Sequence, residues 1–472
     1  MTVCKDCTII KAYYVQNEKG PKKMNIVIVG LGKIGVTLTK YLAEGNHDVT
    51  VVDSNAKVVE SVVDEADVMG ICGTGTSYDV LLEAGANKAK LFIAMTGSDE
   101  MNILSCLIAK KMGAEHTIAR VRNPEYSKQL TFMRDELGIS MLVNPEYETA
   151  NEIARILHFP SALKIESFAK GRVELAEVKI KEGNPLIGEP ISAVHSKFQV
   201  RVLICAVQRD EDVVIPRGDF VLQEGDKIHI TASRTELANF MKKLGIYKQR
   251  MKKVMVVGGG KIGYYLTKQL LEAGHDVKLI EKDEKRCAHL SENLPRAKVI
   301  CGDGADQDVL LEEGMEQADA LVSLTGIDEE NIIISMFANI KGVAKVVTKI
   351  NRVSIDMLNS VGLESVISPK QVSANGIVRY VRALESSGTG SMLTLYRLVD
   401  GAVEAAEFEV VEGLECVGIP FKDIRLKKNL LIGSIIRNNK VIFPGGNDML
   451  LPGDRVVIVT TQNLQELDDI LL

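Results

Sequence analysis

At 472 residues the chain exceeds one ordinary core and implies three or four domains. Its composition, 46% hydrophobic and 25% charged, is that of a globular protein, and a formal charge of −6 argues against a nucleic-acid partner, whose footprint is basic. No apolar run reaches the roughly 18 residues that a membrane helix needs, and the start of the chain carries scattered charges rather than a signal sequence, so a cytoplasmic location is expected.

Residues 1–23 have no counterpart later in the chain and read as an N-terminal extension. Cys4 and Cys7 form a lone C-x2-C pair there, without the second pair that a four-ligand zinc site requires, so no metal is expected. The other cysteines, Cys72, Cys106, Cys205, Cys287, Cys301 and Cys416, lie in apolar or helical segments and read as small core residues.

Ile26 to Val29 is a short apolar run, followed by a glycine loop over Gly30, Gly32 and Gly35 and a helical stretch to Leu42. Next come an apolar strand from Val49 to Val52 and an amphipathic segment around Val58 to Ala66. Strands from Leu91 to Met95 and from Thr117 to Val121 flank a helix near Asn102 to Met112. Short apolar strands separated by helices predict a parallel sheet covered on both faces. Beyond it the pattern changes: Val173 to Ile180, Val200 to Val207 and Lys227 to Thr231 read as strands joined by Gly/Pro turns at 188–190 and 216–218. The stretch Lys248 to Lys253 is basic and polar and reads as a linker.

The whole pattern then recurs at nearly constant spacing. Gly30 returns as Gly258, Asp53 as Glu281, Thr96 and Gly97 as Thr325 and Gly326, Asn102 as Asn331, and Asp226 as Asp454. A duplication of this length decides the architecture. The expected fold is α/β, a tandem duplication of two Rossmann-like doubly wound parallel-sheet domains, each followed by a small β-rich α+β domain. The expected boundaries are 24–158, 164–243, 252–383 and 392–472.

In such a fold the glycine loop has a defined task. The first glycine allows a tight strand-to-helix turn, the second lets the backbone approach a pyrophosphate, and the third lets helix and strand pack closely. The phosphates sit at the helix N-terminus, where free N–H groups and the helix dipole favour anions. Here Gly30, Gly32, Lys33, Ile34 and Gly35 are matched by Gly258, Gly260, Lys261, Ile262 and Gly263. One such loop is weak support; two copies, each after an apolar strand and each followed at the same distance by an acid, are much stronger. Those acids, Asp53 and Glu281, are placed to accept hydrogen bonds from ribose hydroxyls and to repel a 2′-phosphate; the plainer alternative is a solvated strand-end carboxylate. Lys33 and Lys261 face either phosphate or water. Arg120 and Arg122, with Lys349 and Arg352 in similar places, either neutralise phosphate or stand exposed at strand ends. The loops at Thr74 and Asp303 offer small residues against an adenine ring, and the loops Thr96-Gly97-Ser98-Asp99 and Thr325-Gly326-Ile327-Asp328 border the same crevice.

Catalytic chemistry is harder to find. The seven histidines form no metal or triad pattern, and His47 and His275 read as surface residues of a turn. Ser98 has no evident His/Asp partners. No substrate domain with its own acid or base follows either Rossmann unit, so no enzymatic activity is expected.

A Rossmann unit that opens on the run from Val29 to Gly35 and is followed by Ile215, Pro216, Gly218, Leu222, Gly225, Asp226 and Ile230 resembles a pair of RCK (regulator of potassium conductance) domains. Two such pairs in one chain resemble the TrkA family, peripheral regulatory subunits of Trk potassium uptake, from Met24 to the C-terminus. The resemblance implies regulatory binding of NAD(H) or of ATP and ADP, and a homo-oligomeric ring. It also implies an integral-membrane potassium-translocating partner at the inner face of the cell membrane. It carries the ligand-facing role to Gly30, Gly32, Gly35 and Asp53 and to Gly258, Gly260, Gly263 and Glu281. The family's aspartate beyond the third strand is kept as Asp303 and replaced by Thr74, so the modules are expected to differ. The competing readings are an NAD-dependent oxidoreductase and a regulator of another cation transporter.

Overall fold

The computed structural model describes residues 23–472 apart from 46, 124–125, 127–135, 159–163, 169–172, 211, 246–250, 353–357, 359–361, 364, 386–391, 399–401, 439, 463 and 465. Cys4, Cys7 and the rest of the N-terminal extension before Lys23 lie outside the described residues.

The first parallel sheet is built from β1 (Asn25–Val29), β2 (Asp48–Asp53), β3 (Met69–Cys72), β4 (Leu91–Ala94), β5 (His116–Arg120) and β6 (Met141–Val143), in the order β3-β2-β1-β4-β5-β6. This is the Rossmann order, whose crevice opens where the chain direction of winding reverses, between β1 and β4. Its helices are α1 (Lys33–Glu44), α2 (Ala56–Glu65), α3 (Tyr78–Glu83) and α4 (Asp99–Met112), with α5 (Pro145–His158) following β6. In α1 the buried residues Ile34, Leu38 and Leu42 recur every four positions, the spacing that puts one helix face on the sheet. Helix α4 starts where the Ser98 hydroxyl accepts the N–H of Met101, and it ends at Gly113 at φ 128.

A second sheet follows, with β7 (Lys164–Phe168), β8 (Val173–Lys179), β9 (Val202–Arg209), β10 (Asp212–Val214) and β11 (Lys227–Ala232) in the order β10-β9-β11-β8-β7, all neighbours antiparallel. Helices α6 (Ile191–Phe198) and α7 (Arg234–Lys243) cover one face. Strand β8 alternates accordingly: Ala176 and Val178 join the core with Phe198 and Phe240, while Val173 and Leu175 point the other way.

The second half repeats the plan. Strands β12 (Lys253–Val257), β13 (Asp276–Glu281), β14 (Lys298–Cys301), β15 (Ala320–Ser323), β16 (Lys345–Lys349) and β17 (Val366–Ile367) form a parallel sheet in the order β14-β13-β12-β15-β16-β17. Its helices are α8 (Lys261–Glu272), α9 (Glu284–Asn293), α10 (Gln307–Glu312) and α11 (Asp328–Ile340), with α12 (Pro369–Glu385) after β17. The last sheet, β18 (Met392–Leu398), β19 (Val403–Glu409), β20 (Leu430–Arg437), β21 (Lys440–Ile442) and β22 (Arg455–Thr460), runs β18-β19-β22-β20-β21. Where the first β-rich domain has α6 and α7, the described residues of this one have only short 3-10 turns at Phe421–Asp423 and Leu467–Ile470.

The two antiparallel sheets share a core. Phe168, Val173, Leu175 and Cys205 of one meet Val403, Ala405, Val457 and Val459 of the other in a single apolar cluster. By compactness the chain divides into the described residues up to Thr149 together with Ser368–Val378, and a larger unit of Ala150–Ile367 with Arg379–Leu472. The division falls inside α5 and α12, so each helix contributes to both units. In the larger unit the Gln269 amide of α8 donates to Asn151 Oδ1 of α5 at 2.8 Å.

Three expectations need correction. His47 and His275 are buried, because the turn before each second strand folds back on the chain that enters the first; His275 Nδ1 lies 2.6 Å from the Met251 carbonyl. Cys72 and Cys301 are exposed, since each ends a sheet-edge strand. The end of the supposed linker is ordered structure: Met251 is buried and Lys253 opens β12.

Removing the Phe168 ring from the inter-sheet core is expected to cost about 3–5 kcal/mol. Phe168→Ala would then lower the urea midpoint clearly; an unchanged midpoint would place the ring outside the core.

Candidate functional site

Each glycine loop is dictated by contacts that leave no room for a side chain. Gly30 adopts φ +94, and a Cβ there would stand 2.6 Å from the Thr96 nitrogen at the end of β4. Gly258 matches it at φ +108, with a Cβ 2.7 Å from the Leu324 carbonyl carbon. A Cβ on Gly35 or Gly263 would lie 2.1 Å from the carbonyl oxygen of Gly30 or Gly258, so helix and strand pack backbone to backbone. The middle glycines differ. A Cβ on Gly32 would meet nothing within 4 Å, and one on Gly260 would reach only Arg286 Nη1, at 4.0 Å. The outer glycines serve the fold, and the middle ones border open space at a helix N-terminus, where an anionic group fits.

The strand-end acids hold these loops. Asp53 Oδ2 accepts the Leu31 N–H at 2.7 Å and Oδ1 accepts that of Asn55 at 2.9 Å. Glu281 repeats this with Gly259 N–H at 2.8 Å and Asp283 N–H at 3.0 Å. Glu281 is buried and Asp53 half-buried, so they are not solvated strand-end carboxylates. Each oxygen has a second lone pair for a ribose hydroxyl, but neither acid is a removable surface group.

A second brace closes the crevice from the other side. Buried Asn102 accepts the Thr96 N–H at 2.8 Å and donates to the Arg120 carbonyl at 3.0 Å. Asn331 does the same with the Thr325 N–H and the Lys349 carbonyl, at 2.7 and 3.1 Å. Asp99 receives the N–H groups of Arg122 and Asn123, and Asp328 those of Asn351 and Arg352. Asn102 and Asn331 were outside the expected site, and their pairing across the duplication was the signal for them; Asp99 and Asp328 end the loops expected to border the crevice.

The cations are drawn into this brace. Lys349 is buried and its ammonium donates to the Thr325 carbonyl at 2.6 Å. Arg122 reaches the Gly97 carbonyl and lies 3.5 Å from Asp99. Arg120 faces Glu146 of α5 at 3.7 Å, and its Nε is buried without a hydrogen-bond partner among the described residues. An anionic ligand would supply one. Lys33 and Lys261, at the first position of their helices, are exposed, whereas Ile34 is buried and Ile262 half-buried, leaving those two positions only backbone for a ligand.

Beyond β3 and β14, Gly75 and Gly304 pack on Val29 and Val257, while Thr74 and Asp303 stay exposed. Thr74 Oγ1 is 3.1 Å from Thr76 Oγ1, and Asp303 Oδ1 accepts the Ala305 N–H at 2.9 Å. Arg286 on α9 was not anticipated. It stands where α2 has Val58, so only the second loop has a guanidinium beside its open glycine.

The TrkA-N domain matches residues 26–145 and 254–369, and the TrkA-C domain matches 175–245 and 405–472. The chain belongs to the TrkA family. It is 34% identical to the Trk system potassium uptake protein TrkA homolog of Archaeoglobus fulgidus, over 92% of this chain and 97% of that one. It is 32% identical to the Trk system potassium uptake protein TrkA of Vibrio alginolyticus, over 92% and 95%. The solved GsuK channel bound to NAD has the same fold, with a TM-score of 0.60 and 19% identity over 96% of this chain and 79% of that one. No helix among the described residues is long and apolar enough to cross a membrane.

Burial pushes the Asp328 carboxyl up, but the N–H donors of Asn351 and Arg352 outweigh it and hold the group below its ordinary 3.8. A depressed folded value stabilises above the unfolded value and is lost as pH falls through the folded one. The melting-temperature gap between wild type and Asp328→Asn is therefore expected at neutral pH and should close below about pH 4; a gap that persists in acid would contradict this.

Proposed function

We propose that this chain is a nucleotide-sensing regulatory subunit of a membrane potassium-uptake transporter, binding NAD(H), ATP or ADP at both glycine-loop modules. The observation that carries it is the contrast within each loop. Outer glycines are sealed against backbone, while Gly32 and Gly260 face open space at a helix N-terminus, next to a carboxylate that can also take a ribose. Membership of a family of potassium uptake proteins supports the transporter, and a solved channel of the same fold bound to NAD supports the ligand class.

The proposed ligand contacts are Gly30, Gly32, Lys33, Ile34, Gly35, Asp53, Thr74, Thr96, Gly97 and Arg120, and their partners Gly258, Gly260, Lys261, Ile262, Gly263, Glu281, Asp303, Thr325 and Lys349. To these we add Arg286. The domains are taken as 24–158, 164–243, 252–383 and 392–472. The partner is an integral-membrane potassium-translocating subunit, which would hold this chain at the inner face of the membrane. A homo-oligomer is supported by α11, which leaves Ile333, Met336 and Ile340 exposed along one face; Ile340 is 78% exposed. The role is regulation rather than catalysis: a ligand shifts the assembly only as far as it prefers one conformation, and a coupling of about 1–3 kcal/mol suffices for control.

Calorimetry with ADP, ATP and NADH on the full chain is the direct test. Gly32→Val and Gly260→Val should leave the melting temperature nearly unchanged, since their side chains enter open space. Each should weaken nucleotide binding at its own module about ten-fold or more, or about 1.4 kcal/mol. Unchanged affinity in both variants would refute the site assignment, and steady turnover of NADH would replace regulation by an oxidoreductase. Arg286→Ala should weaken ADP and ATP at the second module only.

A further inference from the structure

The two modules differ at a buried position with its own chemistry. Helix α9 carries Cys287 where α2 carries Val59, while β14 ends on Cys301 as β3 ends on Cys72. Cys301 is exposed and lies in register beside Glu281 on the neighbouring strand. Cys287 is buried, and its thiol donates to the Glu281 carbonyl at 3.1 Å. The N–H of Gly302, directly after Cys301, donates to the same carbonyl at 3.0 Å. The Cys287 thiol and the peptide that follows Cys301 thus meet at one carbonyl, and the side chain of that same residue holds the Gly259 N–H of the glycine loop. In the first module Cys72 has valine in place of the second thiol. Among the described residues Cys106, Cys205 and Cys416 are all buried elsewhere.

We propose that Cys287 and Cys301 are a reversible oxidation site, a dithiol that a peroxide converts to a disulfide and that thereby weakens nucleotide binding at the second module. The consequence for binding rests on the reading of that module as a nucleotide site; the oxidation does not. Burial, with Cys301 and the carboxylates of Glu281 and Asp283 nearby, pushes the Cys287 thiol up to about 11. Exposed Cys301 is therefore the sulfur that meets the oxidant. Its thiolate attacks one peroxide oxygen and breaks the O–O bond, leaving Cys301 as a sulfenic acid and releasing hydroxide, which takes up the Cys301 proton as water. The Cys287 sulfur then attacks the Cys301 sulfur. The S–O bond breaks, and hydroxide leaves with the Cys287 proton as a second water. Two thiols have given two electrons to one peroxide, and a dithiol reductant returns them. The disulfide takes away the S–H donor to the Glu281 carbonyl, at the residue that fixes the loop.

The full chain is treated with hydrogen peroxide, its free thiols are alkylated, and its peptides are mapped by mass spectrometry. A peptide pair linked through Cys287 and Cys301, released by dithiothreitol, is expected. Calorimetry with ADP should then read about ten-fold weaker binding at the second module after oxidation. Affinity at the first module should not change, and Cys301→Ser, a surface change, should abolish the response. Cys301 found unreacted or carried on to sulfinic acid without the linked pair would overturn the proposal. A linked pair with unchanged ADP affinity at the second module would overturn its regulatory half. If the reduced protein binds no ADP, ATP or NADH, the nucleotide reading fails by itself, and the linked peptide still decides the oxidation site.

Discussion

The crevice of each module depends on one charge-assisted hydrogen bond, from the peptide after the first loop glycine to the carboxylate that ends the second strand. Gly30 and Gly258 take a left-handed conformation that brings the loop against the end of β4 or β15, and the next N–H, of Leu31 or Gly259, then meets the strand-end carboxylate. An N–H left without an acceptor in a half-buried site costs about 1–3 kcal/mol. Asp53 and Glu281 remove that cost, and their second oxygens cap the following turn as well. A ligand that uses these acids adds its hydroxyls to a carboxylate already oriented by the fold. The loop is preorganised for that reason.

Much of this was legible in the sequence because it is local. An apolar strand, a glycine loop and an acid at fixed spacing state their own geometry, and their repetition stated the architecture. What the sequence concealed is set by chain segments far apart. His47 and His275 look like polar turn residues, yet the return of the chain to Met24 or Met251 buries them. Cys72 and Cys301 look apolar, yet their strands are sheet edges. Asn102 and Asn331 sit in apolar helix stretches, and only the folded sheet gives each a donor and an acceptor on two different strand ends. Lys349 carries a charge that suggests solvent, but the carbonyl of Thr325 draws it inward.

The β-rich domains hid their pairing for a similar reason. Alternation in β8 and β22 identifies two faces for each strand, and sequence alone assigns one of them to water. Here neither face is wet. Ala176 and Val178 turn to the helices, Val173 and Leu175 to Val457 and Val459 of the other sheet. The shared core also explains how the second domain manages with 3-10 turns in place of α6 and α7. Its other face still buries Phe408, Val456 and Ile458 beneath the Leu467 turn.

The duplication leaves two equal scaffolds with unequal rims. Both keep the acid, the sealed glycines and the asparagine brace, so the backbone frame of the crevice is common to them. The differences gather around the open glycine: Val58 against Arg286, Val59 against Cys287, Thr74 against Asp303, and Arg120 facing Glu146 against Lys349 bound to a carbonyl. A guanidinium beside one loop favours more negative ligands there by charge-assisted hydrogen bonding, whereas Asp303 opposes added charge beyond the third strand. Among the described residues of the first module, Arg120 is the cation with a buried nitrogen that lacks a hydrogen-bond partner, and it already faces a carboxylate on α5. A phosphate arriving there competes with Glu146 for the same guanidinium. In the second module the corresponding ammonium, that of Lys349, donates to the Thr325 carbonyl, so a phosphate arriving there would compete with that carbonyl instead. On the proposed reading, equal scaffolds with unequal rims would respond to one ligand by different amounts, which is the condition for two sites in one chain to report different things.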